Sequence, residues 1–280
     1  MIRTAWPHDL PALQAFLARA NDAPYDLAAV TEEKCFSHGV SGSPVTRVIE
    51  DAGVIVGAAV SCGRWLRLLA VARERRREGL GRQLLRDAEE HGVAVVAAEA
   101  GNYFTPGVDM SDTGTCEFFT ANRYIQTRWT YNLDADLGSI RESPATSGEI
   151  TLRRPRHHEA DRVLEFVDRE FGRIWRFEAA RAFGRDVPPL FISEEDGRIT
   201  GFAAHDVNNR GLGFFGPTGV TIEMRGRGIG RALLLASLAD LRDMGYRRVV
   251  IPWTDLLEFY RRACGAEPAH RFVAFAKQQP

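Results

Sequence analysis

VARERRREGLGRQL, residues 71–84, and VTIEMRGRGIGRAL, residues 220–233, carry the same Val, Arg, Gly, Gly and Leu at a constant offset of 149. Both contain Arg-x-x-Gly-x-Gly, at Arg76-Gly79-Gly81 and Arg225-Gly228-Gly230. Each is preceded by a β-rich run, WLRLLAV or GLGFFGPTGV, and followed by a helical apolar stripe. The stripe is Leu80, Leu84, Leu85 and Ala88 in the first copy and Ile229, Leu233, Leu234, Leu238 and Leu241 in the second.

Working outward, three more anchors recur in the same order. Ile2 and Pro7 answer to Ile150 and Pro155, offset 148; Gly53, Ile55, Gly57 and Ala59 answer to Gly197, Ile199, Gly201 and Ala203, offset 144. Phe118-Phe119 answers to Phe259-Tyr260, offset 141, so the first copy carries about eight extra residues, placed in NYFTPGVDM. Four anchors in register describe a tandem duplication, which also suits the 280 residues. Each copy predicts a short strand, a helix entered through Pro, a hairpin, a strand running into the Arg/Gly segment, a helix, a buried strand (VAVVAAEA or RRVVIPW), a short helix and a closing strand. The expected fold is α+β, a mixed-sheet sandwich of about 130 residues made twice. The polar stretch 134–149 has the composition of a linker. The division expected is 1–137, a linker at 138–148, and 149–280.

The Arg/Gly segments carry the chemistry. Glycines between a strand and a helix allow close approach of a ligand, and the unpaired N–H groups at the helix start favour an anion. The arginines, with Arg82 and Arg231 in the first turn, add charge-assisted bonds suited to a pyrophosphate. No Gly-x(4)-Gly-Lys-Ser/Thr string exists. A dinucleotide fingerprint needs a third glycine, where Leu84 and Leu233 stand; Glu99 offers the following acid in the first copy, but Ile251-Pro252-Trp253 offers none in the second. Gly216, Pro217 and Gly219 interrupt the strand before the second segment, which predicts a bulge with free N–H groups.

In this order of strand, Arg/Gly turn, helix, strand and aromatic segment (FYRRACGAE at 259–267, FFTANRY at 118–124), the sequence resembles the GCN5-related N-acetyltransferase (GNAT) superfamily, as a tandem pair covering both copies. The resemblance implies two GNAT-type acyl-CoA N-acyltransferase domains and acetyl-CoA as cosubstrate, with no metal. It implies cofactor contacts from Thr218, Val220, Arg225, Gly226, Arg227, Gly228, Ile229, Gly230 and Arg231, and in the first copy from Val71, Arg76, Gly79, Gly81 and Arg82. It places a general-acid tyrosine at Tyr260, where the first copy has Phe119. The usual glycine four residues on is displaced, since Cys264 precedes Gly265.

The activity expected is therefore acetyl transfer to the primary amine of a small molecule, an amino sugar or aminated metabolite, by direct attack in a catalytic C-terminal domain. The N-terminal domain is expected to be non-catalytic. An amine with a lysine-like pKa is only about 0.1% neutral at pH 7.4, whereas one near 7.7–8.0 is about a third neutral, so the need for a base depends on the substrate. Asp206, Asp255 and Glu258 are candidate bases and Trp253 a candidate substrate contact, each with a plain surface or packing alternative. Glu223, His157 and His158 read as turn or helix-start residues, and Phe171, Trp175 and Phe177 as core or pocket wall. A non-catalytic acyl-CoA sensor and a protein or peptide N-acetyltransferase remain as alternatives.

Net charge is −1 and pI about 6.7, which gives no electrostatic case for nucleic acid or an anionic membrane. Lys34 and Lys277 are the only lysines, so 36 basic residues less 2 leaves 34 arginines. Cys35, Cys62, Cys116 and Cys264 have no metal-ligand spacing. The opening MIRTAWPHDLPALQ and the lack of an 18-residue apolar stretch predict neither signal peptide nor membrane span. A cytoplasmic monomer or homodimer is expected.

Overall fold

Arg3 sits in the first strand and reaches forward to the helix that Pro7 introduces. The computed structural model describes residues 1–140 and 150–278. After β1 (Ile2–Thr4) a short turn leads into α1 (Leu10–Ala20), and Asp9 at the turn accepts from the Trp6 backbone N–H at 2.8 Å and from both terminal nitrogens of Arg3 at 2.8 and 3.0 Å. Arg3 also holds Glu50. The second copy builds the same cluster. Arg153, in β8 (Thr151–Arg153), holds Glu159 at 2.6 Å and Glu194 at 2.5 Å, and Glu159 caps the Arg156 N–H at 2.8 Å. Asp9 and Glu159 are each pulled down to about 2, chiefly by the arginine hydrogen bonds.

The first unit continues with α2 (Thr31–Phe36), β2 (Val45–Asp51), β3 (Val54–Cys62), β4 (Trp65–Val71), α3 (Leu80–Glu90), β5 (Val95–Val96), β6 (Val108–Asp109), α4 (Thr113–Ala121) and β7 (Tyr124–Asp136). The second has, after β8, α5 (Ala160–Phe171), α6 (Arg173–Ala180), β9 (Leu190–Glu195), β10 (Arg198–His205), β11 (Phe215–Val220), α7 (Ile229–Asp243), β12 (Arg248–Thr254), α8 (Leu257–Cys264) and β13 (Glu267–Lys277). The order β1-β2-β3-β4 recurs as β8-β9-β10-β11, antiparallel at each step. In both units the helix after the Arg/Gly turn packs on the sheet through a glycine. A Cβ on Gly57 would come 3.1 Å from Leu84, and one on Gly201 3.1 Å from Leu233.

Mixed α+β architecture with two like units is thus observed, but the first unit is not contiguous in the chain. One comprises Met1–Tyr131 together with the residues from His270 onward; the other comprises Asn132–Ala269. The final strand of the second copy, β13, lies in the first unit beside β5 and β7, and the far end of β7 lies in the second unit beside β12. The expected division at 137 and 149 therefore differs from the compact units. Residues 134–136, expected as linker, are strand, and Leu137 still donates to Arg247 O at 2.9 Å. Most of the expected linker, 141–149, lies outside the described residues.

Two other expectations need correction. The buried strand expected through VAVVAAEA is only Val95–Val96, because Ala97 and Ala98 take positive φ (53° and 56°) and turn the chain away. The extra residues of the first copy form β6, which pairs with β13 through Asp109–Phe272 and Val108–Val273. None of the four cysteines is in a disulfide, and among the described residues no helix is long and apolar enough to cross a membrane.

Candidate active site

The two Arg/Gly turns fold alike. Gly79 and Gly228, immediately before α3 and α7, have φ of 85° and 79°, and a Cβ at either would meet nothing within 4 Å. Backbone conformation alone asks for glycine there. The left-handed residue two earlier is Gly226 (φ 80°) in the second copy but Arg77 (φ 70°) in the first, a costlier choice. Arg76 Nε donates to Val71 O at 3.2 Å and Arg225 Nε to Val220 O at 3.3 Å, so each arginine folds back on the strand it follows. Arg76 also pairs with Asp22 at 2.5 Å.

Gly81 and Gly230 are different. Both lie inside a helix at ordinary φ, and a Cβ would find only van der Waals neighbours, Phe118 and Val71 at 3.6 Å in one case, Val220 at 3.7 Å and Phe259 at 3.9 Å in the other. Neither backbone nor packing demands glycine, so the repeat keeps the first helical turn free of a side chain, where N–H groups have no partner within the helix. That space suits an anion.

In the first unit the turn opens into a cleft. β4 and β5 run parallel only through Trp65–Val95 and Leu66–Val96, with a last bond from Ala97 N to Leu66 O at 2.8 Å. Beyond it β4 keeps β3 on one side but has no strand on the β5 side, and a cavity of about 790 Å³ follows. Val71, Arg76, Gly79, Gly81 and Arg82 all line it, as do Asn21, Arg67, Asp109, Phe118 and Phe119. The volume is that of a site for a sizeable small ligand.

Arg67 belongs to a buried polar network that the sequence reading missed. It grips Glu99 through two nitrogens at 2.6 and 2.9 Å and donates to Lys34 O at 2.8 Å. Lys34 Nζ in turn donates to Glu33 at 2.7 Å and Asn102 at 3.0 Å. Both lysines of the chain are thus structural, since Lys277 bonds Glu89 at 2.7 Å and lies over the Tyr124 ring. Their rarity in the sequence was the one available signal.

In the second unit β11 and β12 meet at a single parallel bridge, Phe214–Val250. β10 shows a register shift between Ala203 and His205 opposite β11, and Thr218 Oγ1 donates to Phe202 O at 3.0 Å. Phe171 lies against Gly219: a Cβ there would be 2.5 Å from the ring, which stacks on Trp175 at 5.4 Å. Aromatic packing therefore accounts for Gly219. Tyr260 is buried on α8, edge-on to Phe215 of β11 at 6.4 Å and to Phe259 at 4.9 Å. Burial raises its phenol well above the usual range. Gly265, one place later than the usual pattern, closes α8 in the left-handed conformation (φ 68°).

The remaining candidates scatter. Asp206 is buried and its carboxylate is held by Arg185 at 2.7 Å, Gly211 N at 2.8 Å and Tyr246 Oη at 3.0 Å, a loop clasp. Glu258 is exposed and paired with Arg262 at 2.5 Å, beside a cavity of about 240 Å³ that Arg231 and Phe259 also line. Asp255 is exposed, and Trp253 (φ 51°) donates its N–H to Asn132 at 3.0 Å. Arg227 pairs with Glu195 at 2.6 Å, and Ile229 is buried. Glu223 is exposed, and His157 bonds Arg185 O at 2.8 Å. Among the described residues no group of three metal-ligating side chains gathers.

Residues 156–266 match the model of the acetyltransferase (GNAT) family. No protein of curated function matches the chain in sequence. Among solved structures, the GCN5-related glucosamine N-acetyltransferase region of a fungal multi-domain β-N-acetylglucosaminidase superposes with a TM-score of 0.81 at 19% identity, over 98% of this chain. The chain spans only 38% of that protein's length. A tandem GNAT protein from the clavulanic acid biosynthesis pathway superposes at 0.72 with 18% identity, over 100% of this chain and 99% of the other. A GCN5-related N-acetyltransferase from Sphaerobacter thermophilus does so at 0.69 with 21% identity, over 99% and 95%.

Proposed function

We propose, for a chain whose residues 156–266 match the acetyltransferase (GNAT) family model and whose fold is like that of a tandem GNAT protein, that it transfers an acetyl group from acetyl-CoA to the primary amine of a small molecule, with an amino sugar as the first class to test. The observation that carries the reading is the repeated Arg/Gly turn with its unexplained glycine, Gly81 or Gly230, set at the end of a strand that parts from its neighbour. The pyrophosphate fits the N–H groups above Gly81 and Gly230, beside Arg82 and Arg231. A pantetheine arm fits the open edge of β4, whose exposed peptide groups otherwise lack strand partners.

Bound there, acetyl-CoA supplies a thioester carbonyl carbon as electrophile. In the second unit Tyr260 is the group assigned to protonate the leaving thiolate. The phenol is protonated at neutral pH, as any phenol of pKa about 10 is, while its burial in the free protein raises its pKa and weakens it as an acid. The glucosamine N-acetyltransferase named among the structural relatives supports amino sugars as the first class to try.

The test is release of free thiol from acetyl-CoA in the presence of a panel of amino sugars and other small amines. Amine-dependent release that falls by about 10²–10⁴ in Tyr260→Phe, with acetyl-CoA affinity kept, is the expected result. Binding without turnover across the panel would reduce the protein to an acyl-CoA sensor.

A further inference from the structure

The first unit owes its last interior strand to the far end of the chain, and that strand brings a histidine to Asp109, which lines the cleft. β13 pairs with β5 at Phe275 and Ala276, runs past the point where β5 stops, and pairs with β6 at Phe272 and Val273. His270 stands two residues before Phe272 on the same strand. Its Nδ1 lies 2.9 Å from Asp109 Oδ2, and Asp109, Phe104 and Phe272 all line the cavity of about 790 Å³.

We propose that the cleft of the first unit is itself a catalytic centre, in which His270, oriented by Asp109, is the general base for a weakly basic primary amine. The inference rests on the acetyl-CoA reading above. It departs from the expectation that the first copy is non-catalytic.

Three features argue for it. The carboxylate on Nδ1 fixes the tautomer with Nδ1 protonated, which presents Nε2 as the basic nitrogen. Nε2 has no hydrogen-bond partner among the described residues, and the side chain is 30% exposed, so it is accessible without being on open surface. Asp109 is itself held, its other oxygen accepting from Ser111 N at 2.9 Å and Ser111 Oγ at 2.7 Å. A base oriented by a third group that is in turn pinned is the arrangement proton transfer requires. The only neighbouring cation on the strand, Arg271, turns to the Trp129 ring at 3.9 Å. Tyr25 and Phe272 flank the imidazole at 5.9 and 6.1 Å, an aromatic wall suited to the apolar face of a ring-shaped acceptor.

Nε2 takes one proton from the ammonium, the freed amine forms a C–N bond to the thioester carbonyl carbon, and the C–S bond breaks. The second nitrogen proton passes to the thiolate, giving amide, free coenzyme A thiol and a protonated imidazole that returns its proton to solvent. An amine of pKa about 8 gives up its proton to any one base about 250-fold more readily than a lysine-like amine of pKa about 10.4. This selects amines next to electron-withdrawing oxygens, such as amino sugars, over lysine side chains.

The experiment uses the full-length protein with glucosamine and acetyl-CoA. His270→Ala and Asp109→Asn are each made in the Tyr260→Phe background, where the turnover left is that of the first unit, and compared with Tyr260→Phe alone for thiol release, for acetyl-CoA affinity by calorimetry and for melting temperature. Expected are a fall in kcat of about 10²–10⁴ for His270→Ala with unchanged acetyl-CoA affinity, and partial restoration of that variant by added imidazole. A structural role would not give rescue. Unchanged kcat, or a loss that imidazole does not restore, overturns the proposal while leaving the enzyme reading standing. Wild-type protein that turns over no amine of the panel overturns both.

Discussion

Gly81 and Gly79 stand two residues apart and answer to different demands. Gly79 is fixed by its left-handed backbone, whereas Gly81 is helical and uncrowded. The account predicts opposite effects of Gly81→Ala: stability unchanged or raised by up to about 0.5–1 kcal/mol, and acetyl-CoA affinity at that turn lowered at least about tenfold. Paired urea titrations and calorimetry check this. Such residues were legible in the sequence because the repeat put two copies side by side. His270, Asp109, Arg67 and Glu99 were not, because they meet only across strands far apart in the chain. Phe119 and Tyr260 occupy matching buried places, which the 141-residue offset already indicated.

At the scale of elements, the helix entries are the most faithfully duplicated feature after the Arg/Gly turns. Arg3-Asp9-Glu50 and Arg153-Glu159-Glu194 tie each first strand to the turn before its helix. Because Asp9 and Glu159 titrate near 2 in the folded chain, against about 4 when free, their stabilisation is full above about pH 4.5 and disappears as pH falls towards 2. Wild-type protein is expected to lose stability across that window, and Asp9→Asn with Glu159→Gln to lose less of it while starting lower by about 1 kcal/mol, read by denaturant unfolding at pH 7 and pH 3. Gly219→Ala is expected to cost about 1–3 kcal/mol, since its Cβ would enter the Phe171 ring. Periodicity located α3 and α7 because their apolar stripes follow a helical period. It overextended β5, since the turn at Ala97 and Ala98 rests on positive φ at alanines, which composition does not announce.

At the scale of the molecule, each half of the sequence completes the other unit. Phe272, Val273 and Phe275 of β13 are fully buried within the first unit. Phe275→Ala, in the last strand of the second copy, is therefore expected to destabilise the first unit by about 3–5 kcal/mol, and a 1–137 fragment without β13 to fail to fold cooperatively. Fluorescence-monitored unfolding of the variant and circular dichroism of the fragment decide it. Strand exchange of this kind is invisible to a repeat search, because exchanged and unexchanged pairings bury the same side chains. The account as a whole stands on the Arg/Gly turns holding acetyl-CoA, and titration calorimetry of acetyl-CoA into wild-type protein and into Gly81→Val/Gly230→Val tests that most directly. Saturable binding to wild type and at least about a tenfold loss of affinity in the double variant, folded to the same melting temperature within a few degrees, is the result predicted. No binding to wild type, or equal binding to the double variant, would contradict it.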